Sequence, residues 1–476
     1  MFTPRPAVLL LGLAAALAAP ACKKERLPDN PLLYSRAARS DGPQRNPVIL
    51  IPGILGSTLI ELETDRIVWG GFVYGAADPQ TAEGARLVSL PYLNEDGSPT
   101  FEDTVVPDGA LDRVRVQLIG IPVSLEAYHG ILQSLGVGGY TDRDLEPEVG
   151  GIDYGSDHFT CYQFGYDWRR SNAENAVLLR RYVDEVRETV AQRRRELGEE
   201  DPDVRVDIVA HSMGGLVARY MLRYGTQGLP ADGSDPVLDW SGVEGIDTVI
   251  LCGTPSGGSV LSIRQLLEGQ DYGFPFLPDY SKEILGSFPS IYELMPRDRH
   301  DPLVMEDGSE APSLVDPATW ERFGWGLADP SMTELAKLMP DADDDERRAA
   351  AQRTLVRHLD TAWRFQRAID VPAERPDSVR MHLILGDAQE TPRRLSVRPK
   401  DGRAKVGEIV PGDMVVPRSS ALMDEREDVD GVEWGPRLVS PIDWTSVLLL
   451  PDEHLALTRS EVFTDNLLYL LLEAQR

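Results

Sequence analysis

A serine in a turn of small residues has the setting in this chain that most clearly predicts chemistry. Ser212 lies in Ala210-His-Ser-Met-Gly-Gly215, directly after the apolar segment 204–209 and before residues with a helical pattern. A serine in a strand–turn–helix of this kind has a strained backbone and an accessible hydroxyl, and small neighbours let the strand and helix approach closely. This setting predicts a nucleophile, with an ordinary helix-capping serine as the alternative.

A nucleophilic serine needs a base, and in chains of this organisation the base follows the serine on a loop after a later strand. Of the seven histidines, four come after Ser212: His300, His358, His382 and His454. His382 lies inside a predicted strand, and His300 and His358 lie in an insertion. His454 follows the apolar segment 446–450 and a short loop, so it is the predicted base.

Two acids compete to orient this base. Asp387 comes directly after the end of the predicted strand 380–385 and Gly386, and Asp413 lies further on in Gly412-Asp-Met-Val-Val-Pro417. Asp452 and Glu453 are too close in sequence to His454 to reach its far nitrogen. Residue types alone leave the choice between Asp387 and Asp413 open.

The reaction of a serine with an ester also needs two backbone N–H groups directed at the developing oxyanion. One is expected from Met213, the residue after the nucleophile. The other is expected from Ile54, in the turn that follows the apolar strand 48–51, where Gly53 and Gly56 would let the backbone turn.

Apolar segments and helical patterns alternate along the chain, which predicts an α/β fold with a doubly wound, mostly parallel sheet. Predicted strands are 48–51, 159–164, 204–209, 248–252, 380–385 and 446–450, and predicted helices are 171–197, 216–224, 345–369 and 459–474. The apolar face of the first helix comprises Leu179, Val183, Val186, Val190 and Leu197. We expect one domain over 46–476, with cap or lid insertions at about 57–155 and 256–376.

The N-terminus predicts export. Residues 7–20 are apolar but too few to span a bilayer, as in a secretion signal over 1–22. Leu17-Ala-Ala-Pro-Ala-Cys22 resembles the lipobox of bacterial lipoproteins, which implies a lipid on Cys22 and a polar tether over 23–45. The expected location is the bacterial cell envelope, and secretion without a lipid is the alternative.

Composition narrows the function classes. The chain has 48 Lys and Arg against 77 Asp and Glu, a net charge of −29, which disfavours nucleic-acid binding. Cys161 and Cys252 fall in or beside predicted buried strands and are expected as free thiols rather than a disulfide. No zinc, Walker or dinucleotide motif is present, and the acidic runs 341–346 and 424–431 lack calcium-loop spacing, so neither a metal nor a cofactor is expected.

Four sequence strings together resemble the lecithin:cholesterol acyltransferase family, which also holds lysosomal phospholipase A2 and phospholipid:diacylglycerol acyltransferase. They are Pro47-Val-Ile-Leu-Ile-Pro-Gly-Ile-Leu-Gly-Ser57, Tyr166-Asp-Trp-Arg169, Ala210-His-Ser-Met-Gly-Gly215 and Gly253-Thr-Pro-Ser-Gly-Gly-Ser259. In addition, Gly412-Asp-Met-Val-Val-Pro417 resembles the family's acid loop, and the string Ser287-Phe-Pro-Ser-Ile-Tyr-Glu-Leu-Met-Pro296 resembles a segment of its bacterial members. The resemblance implies an α/β-hydrolase fold with a cap and a mobile lid, and acyl-ester chemistry on lipids. By residue it implies Ser212, Asp413 and His454 as the triad and the amides of Ile54 and Met213 as the oxyanion hole, which favours Asp413 over Asp387.

The chemistry expected from the resemblance is attack of Ser212 on a lipid ester to give an acyl-enzyme, which water or a lipid alcohol then resolves. The aromatic segment 270–280 is a candidate lid that meets a lipid surface, with a packed loop as the alternative. Asp167, Trp168 and Arg169 form either a buried structural cluster or part of an acyl or head-group pocket. The rival functions are a general envelope carboxylesterase or lipase, and a non-catalytic lipoprotein that binds lipid or a partner.

Overall fold

A sheet of six parallel strands lies at the centre of the computed structural model, in the order β15-β12-β10-β9-β1-β8. The structure describes residues 45–72, 75–110, 113–118, 121–126, 129–140, 142–143, 159–270, 278–425 and 439–474. The strands are β1 (Val48–Ile51), β2 (Ser57–Glu61), β3 (Ile67–Trp69), β4 (Gly71–Phe72), β5 (Val105–Ala110), β6 (Arg113–Leu118), β7 (Ile121–Glu126), β8 (Cys161–Gln163), β9 (Val206–His211), β10 (Ile246–Cys252), β11 (Leu303–Met305), β12 (Arg380–Gly386), β13 (Gln389–Val397), β14 (Ala404–Gly412) and β15 (Ser446–Leu450).

Helices follow most of the central strands. They are α1 (Ala82–Val88), α2 (His129–Val137), α3 (Asn172–Glu196), α4 (Gly214–Tyr224), α5 (Val260–Glu268), α6 (Lys282–Gly286), α7 (Pro289–Glu293), α8 (Pro317–Phe323), α9 (Leu335–Leu338), α10 (Asp344–Asp370), α11 (Arg418–Leu422) and α12 (Glu461–Leu468). A π-helical turn, Tyr469–Glu473, continues α12.

Both faces of the central sheet are covered. Successive side chains of a strand point to opposite faces, and in β1 Ile49 and Ile51 pack into one core with α3 and α4. Val48 and Leu50 pack into a second core with α2 and α12. The predicted doubly wound, parallel sheet is therefore confirmed.

Element boundaries differ from the prediction in a few places. β8 is shorter than the predicted strand 159–164, and β9 begins and ends two residues later than predicted. Leu197, assigned to the buried face of α3, is instead 68% exposed, because it follows the last turn of the helix as its cap. The sequence reading missed β13 and β14, an antiparallel pair of nine-residue strands between β12 and the C-terminal elements.

The two long insertions contribute small sheets and helices. β2, β3 and β5 form one antiparallel sheet, and β11 pairs with β13, which lies outside the second insertion. Side chains from both insertions pack into the same core as α3 and α4.

The predicted signal, Cys22 and all of the predicted tether except Arg45 lie outside the described residues. Within the described ranges, no helix is both long and apolar enough to cross a bilayer. Cys161 and Cys252 are buried free thiols, as predicted. Two strands, β1 and β9, lie between the strands that carry them.

Candidate active site

Ser212 lies in the turn between β9 and α4, at the carboxyl end of the central sheet. Its φ of +53° is unusual for a residue with a side chain and carries strain of about 1–3 kcal/mol. A Cβ on Gly214 would lie 2.3 Å from the carbonyl oxygen of Pro52, and one on Gly215 would lie 2.0 Å from Oγ1 of Thr254. Both glycines are therefore needed for α4 to start this close to the sheet.

His454 lies on the loop after β15 and contacts both other members of the predicted triad. Its Nε2 is 2.9 Å from Oγ of Ser212, and its Nδ1 is 2.7 Å from Oδ2 of Asp413. All three residues are buried. Because the carboxylate can only accept, Nδ1 carries the proton, and Nε2 is left to accept from the serine hydroxyl.

Asp413 follows β14, and its two carboxylate oxygens have different partners. Oδ1 accepts the backbone N–H groups of Val415 and Val416, and Oδ2 accepts His454 Nδ1–H. The backbone carbonyl of Asp413 also accepts the N–H of His454 at 2.9 Å. These bonds fix the position of the acid relative to the imidazole.

The carboxylate of Asp387, the competing acid, lies away from the imidazole of His454. Its Oδ2 lies 3.4 Å from Nη1 of Arg418, on the partly exposed side of the strand end. Gly386, just before it, gives Asp413 the room it occupies, because a Cβ there would lie 2.6 Å from Cβ of Asp413. The structure therefore brings Asp413, and not Asp387, to the imidazole.

The predicted oxyanion amides belong to the start of α4 and to the turn after β1. Met213 directly follows Ser212, and Ile54 is a central residue of a turn closed by the bond from Gly56 N–H to the Gly53 carbonyl. That bond leaves the Ile54 amide free of the turn's own hydrogen bonding. The left-handed residue of this turn is Leu55, with a φ of +63°, whereas neither Gly53 nor Gly56 has a positive φ.

Trp69 compensates for this strained turn. Its Nε1–H donates to the Leu55 carbonyl at 2.7 Å, which holds the turn from the outside. Nothing in the spacing of Trp69, on β3, indicated this contact, because it depends on how the first insertion folds back over β1.

The string Tyr166-Asp-Trp-Arg169 also supports the turn. Tyr166 donates its hydroxyl to the Pro52 carbonyl at 2.9 Å, and Trp168 Nε1 donates to the Ser57 carbonyl at 3.1 Å. Arg169 is fully buried and paired with Asp167 and Asp103. The string is thus a buried structural cluster, and one of its members, Trp168, also lines a pocket.

This apolar pocket lies beside the turn that carries Ile54. It has a volume of about 20 Å³, room for about one water molecule. Its lining residues are Ile54, Leu55, Trp69, Trp168, Gln265, Gln270, Tyr280, Leu285, Phe288 and Ile291. Gln270 and Tyr280 are paired to each other by backbone hydrogen bonds at the two ends of the candidate lid, whose residues 271–277 lie outside the described residues.

His211, just before the nucleophile, is a residue of the site that sequence reasoning missed. Its Nε2–H donates to the carbonyl of His454 at 3.2 Å, and the two rings lie 4.8 Å apart. Burial, reinforced by the neighbouring His454, lowers the pKa of His211 to about 3. His211 is therefore a neutral hydrogen-bond donor that holds the loop on which His454 lies. Its position directly before Ser212 in the motif was the sequence feature that could have indicated this role.

Within the described ranges, no group of three or more His, Cys, Asp or Glu side chains could hold a metal ion. The first acidic run instead starts a helix: Asp343 and Glu346 form a reciprocal capping box at the beginning of α10. Most of the second run, 424–431, lies outside the described residues.

The fold and the hydrogen-bonded row place this chain among the α/β hydrolases. The model of the lecithin:cholesterol acyltransferase family matches residues 152–320, which hold Ser212 but neither Asp413 nor His454. The resemblance inferred from the motifs is thereby confirmed.

One solved structure supports the fold, and two others align with lower TM-scores. The crystal structure of a Tle4–Tli4 complex aligns with a TM-score of 0.55 and 15% identity, over 90% of this chain and 98% of the other. Lipase 1 from Pelosinus fermentans aligns with a TM-score of 0.33 and 13% identity over 90% and 99%, and EstA from Clostridium botulinum with 0.32 and 12% over 91% and 88%. A search of curated proteins returned no match. The family match and the fold together support an enzyme that acts on lipid esters.

Proposed function

We propose that the protein is a serine-dependent enzyme that takes the acyl group of a lipid ester onto Ser212 and passes it to water or to a lipid alcohol. The observation that carries the proposal is the hydrogen-bonded row from Asp413 through His454 to Ser212. A non-catalytic binding protein has no need of this row, nor of a serine kept in a strained turn.

In the first half of the reaction, Oγ of Ser212 attacks the ester carbonyl while its proton passes to Nε2 of His454. Asp413 stays ionised and stabilises the imidazolium through Nδ1–H. The amides of Met213 and Ile54 would receive the oxyanion. When the tetrahedral intermediate collapses, the Nε2 proton goes to the leaving alcohol oxygen, and the acyl group stays on Ser212 as an ester.

The second half repeats these steps with a new nucleophile. His454 takes the proton of water or of an alcohol as its oxygen attacks the acyl-enzyme, and then returns that proton to Oγ of Ser212. Water gives a free fatty acid, whereas a sterol or diacylglycerol gives a new lipid ester. The triad treats both acceptors alike, so access to the buried serine decides the outcome.

Two features support a lipid as the acyl donor. The family that matches this chain is named for a phospholipid acyl donor and a sterol acceptor. Ile54, whose amide is a proposed oxyanion donor, also lines the apolar pocket, so an acyl chain held in a widened form of this pocket would have its carbonyl near that amide. Opening of this narrow pocket at Tyr280 and Gln270 would make room for a longer chain.

Product analysis tests the proposal. Residues 23–476, purified, are incubated with vesicles of isotope-labelled phosphatidylcholine that also contain a sterol and diacylglycerol. We expect label in free fatty acid or in a new sterol or glyceride ester. The Ser212→Ala variant should form no labelled product, whereas Ser331→Ala, which changes an exposed serine outside the site, should form it as wild type does. A fluorophosphonate should label wild type and Ser331→Ala only.

Equal labelling of Ser212→Ala would overturn the assignment of the nucleophile. Absence of any product that depends on Ser212 would favour the binding-protein alternative.

We further propose that Cys22 carries a lipid that anchors the enzyme to a membrane of the bacterial envelope. The apolar run 7–20 and the lipobox-like string before Cys22 support this. Expression with its own signal in a bacterial host should give a membrane-bound protein that incorporates labelled palmitate, and Cys22→Ser should abolish both. Membrane association that persists in Cys22→Ser would contradict an anchor at this residue.

A further inference from the structure

Two arginines of α4, the helix that follows Ser212, bind the backbone at the end of α10. Arg219 and Arg223 lie one turn apart on α4 and are only 2% and 4% exposed. Arg219 Nη2 donates to the carbonyl of Ile369 at 2.9 Å, and Arg223 Nη1 donates to that of Val371 at 2.6 Å. These carbonyls end α10, where the helix dipole favours positive charge.

These contacts are made to neutral carbonyls, so the positive charge of the two side chains is balanced only at longer range, by Asp370. Arg219 Nη1 is buried and has no hydrogen-bond partner in the part of the chain that the structure describes. The nearest acid at the helix end, Asp370, is paired with Arg297 and Arg299, each at 2.9 Å. Among the described residues, neither Arg219 nor Arg223 has an ion pair with a carboxylate.

Burial of these guanidinium groups is costly. It lowers the pKa of Arg219 to about 9, with the neighbouring Arg223 contributing in the same direction, and it also lowers the pKa of Arg223. A buried charge without a partner destabilises the folded state unless an ion or a hydrogen-bond network compensates for it.

A small cavity lies beside these two side chains. Its volume is about 10 Å³, near the lower limit for a single small species. We call this cavity the arginine pocket. Its lining residues are Arg219, Leu222, Arg223, Trp240, Ala373, Arg375, Met381, Ile442 and Asp443. Its one acid, Asp443, is 3.4 Å from Arg375, so that pair is already formed.

We propose that the arginine pocket binds a chloride ion between Arg219, Arg223 and Arg375. The cavity is too small for a phosphate or a carboxylate ligand, and apart from Asp443, which is paired with Arg375, apolar side chains form the rest of its wall. A bound anion would balance the positive charge at short range. It would also join α4, which begins two residues after Ser212, to the segment that follows α10.

The test uses bromide as a heavier equivalent of chloride. Crystals of residues 23–476 grown in sodium bromide should show an anomalous peak in the arginine pocket, in contact with Nη1 of Arg219. In solution, Tm should rise saturably with chloride and with bromide relative to gluconate at equal ionic strength. In Arg219→Gln and Arg375→Gln, the halide concentration that gives half of this rise should increase at least about tenfold, as expected when one ligand of a small site is lost.

Arg205→Gln is the matched control, because Arg205 also donates to backbone carbonyls but lies outside the pocket. It should respond to chloride as wild type does. A pocket without a bromide peak, or an unchanged halide response in Arg375→Gln, would overturn the proposal. A peak with no halide effect on Tm would show an adventitious ion only, which also overturns it. If Arg219→Gln fails to fold, the bromide peak in the wild-type crystal and the halide response of Arg375→Gln test the proposal.

Discussion

At the scale of single residues, the site depends on the different hydrogen-bond partners of the two carboxylate oxygens of Asp413. Two backbone N–H groups hold Oδ1, which leaves Oδ2 to the imidazole alone. A carboxylate satisfies both sets of donors at once because it only accepts. No other side chain of this size can do so.

Replacement of this acid tests the assignment. In Asp413→Asn the amide must direct its NH₂ group either at two backbone donors or at Nδ1–H of His454, so the imidazole loses its orientation. We expect kcat to fall by about 10⁴ with no large change in KM. Asp387→Asn, which removes only a long, partly exposed contact with Arg418, should stay within about threefold of wild type. Steady-state kinetics on a soluble ester measures both, and a large loss confined to Asp387→Asn would reverse the assignment.

The oxyanion turn gives a second prediction at this scale. Trp69→Phe keeps an aromatic ring but removes the bond to the Leu55 carbonyl, so the left-handed turn that carries the Ile54 amide should loosen. We expect kcat to fall about tenfold, less than for complete loss of an oxyanion donor.

Trp325→Phe is the matched control for this change. Trp325 is also buried and donates Nε1–H to a backbone carbonyl, that of Gly402, at 2.7 Å, away from the turn. It should lose similar thermal stability, measured as Tm, but keep kcat. Equal kcat losses in both variants would show that Trp69 acts on the fold in general.

The sequence predicts Ser212 from its motif between a strand and a helix, and His454 from its place on a loop after a later strand. It could not choose Asp413 over Asp387 without the family resemblance. The reason is physical: Asp413 reaches the site on the β13–β14 pair, whose strands contain Pro392, Gly407 and Pro411 and thus lack a strand signal.

At the scale of elements, a buried glutamate joins α7 to the start of α3. Glu293 accepts hydrogen bonds from the hydroxyl of Ser171 and from the backbone and side-chain N–H groups of Asn172. Its neighbour in α7, Ser290, donates to the carbonyl of Trp168 at 2.6 Å. The string that begins at Ser287 thus positions the Tyr-Asp-Trp-Arg string, and through it the oxyanion turn.

This glutamate predicts a pH dependence of stability. Burial raises the pKa of Glu293 from its ordinary value of 4.5 to about 8. Between those values the folded state holds a proton that the unfolded state has lost, so the free energy of unfolding should fall as pH rises. The slope is at most about 1.4 kcal/mol per pH unit, and the stabilisation is complete below pH 4.5.

Urea unfolding from pH 5 to 9 measures this slope. Glu293→Gln should reduce it, because the amide does not titrate. Glu188→Gln, a substitution on the exposed side of α3, should leave it unchanged. An equal slope in wild type and Glu293→Gln would mean that Glu293 is ionised in the fold throughout this range.

The six central strands and four of the twelve α-helices in the described residues could be predicted because their apolar pattern agrees with their burial, as it does along α3 and α10. The small sheets could not, since β5 pairs with β2 across the intervening part of the first insertion rather than by local pattern. The role of Glu293 could not be predicted for a similar reason, because its hydrogen-bond partners lie more than a hundred residues away in the sequence.

At the scale of the whole molecule, the distribution of charge bears on which lipid surface the enzyme can approach. The net charge is −29, whereas Met414 and Leu455, directly beside Asp413 and His454, are apolar and each 49% exposed. An acidic body repels an anionic surface over about 8 Å at physiological salt. Apolar residues next to the triad favour contact with lipid regardless of head-group charge.

These two properties together predict a preference for zwitterionic membranes that salt removes. At about 10 mM salt, where repulsion reaches about 30 Å, turnover on phosphatidylcholine vesicles should exceed turnover on vesicles rich in phosphatidylglycerol by about tenfold. At about 500 mM salt the two rates should approach each other. A soluble ester, which has no surface charge, controls for effects of salt on the triad itself. A preference that persists at high salt would instead place the selection in the pocket, through recognition of the head group.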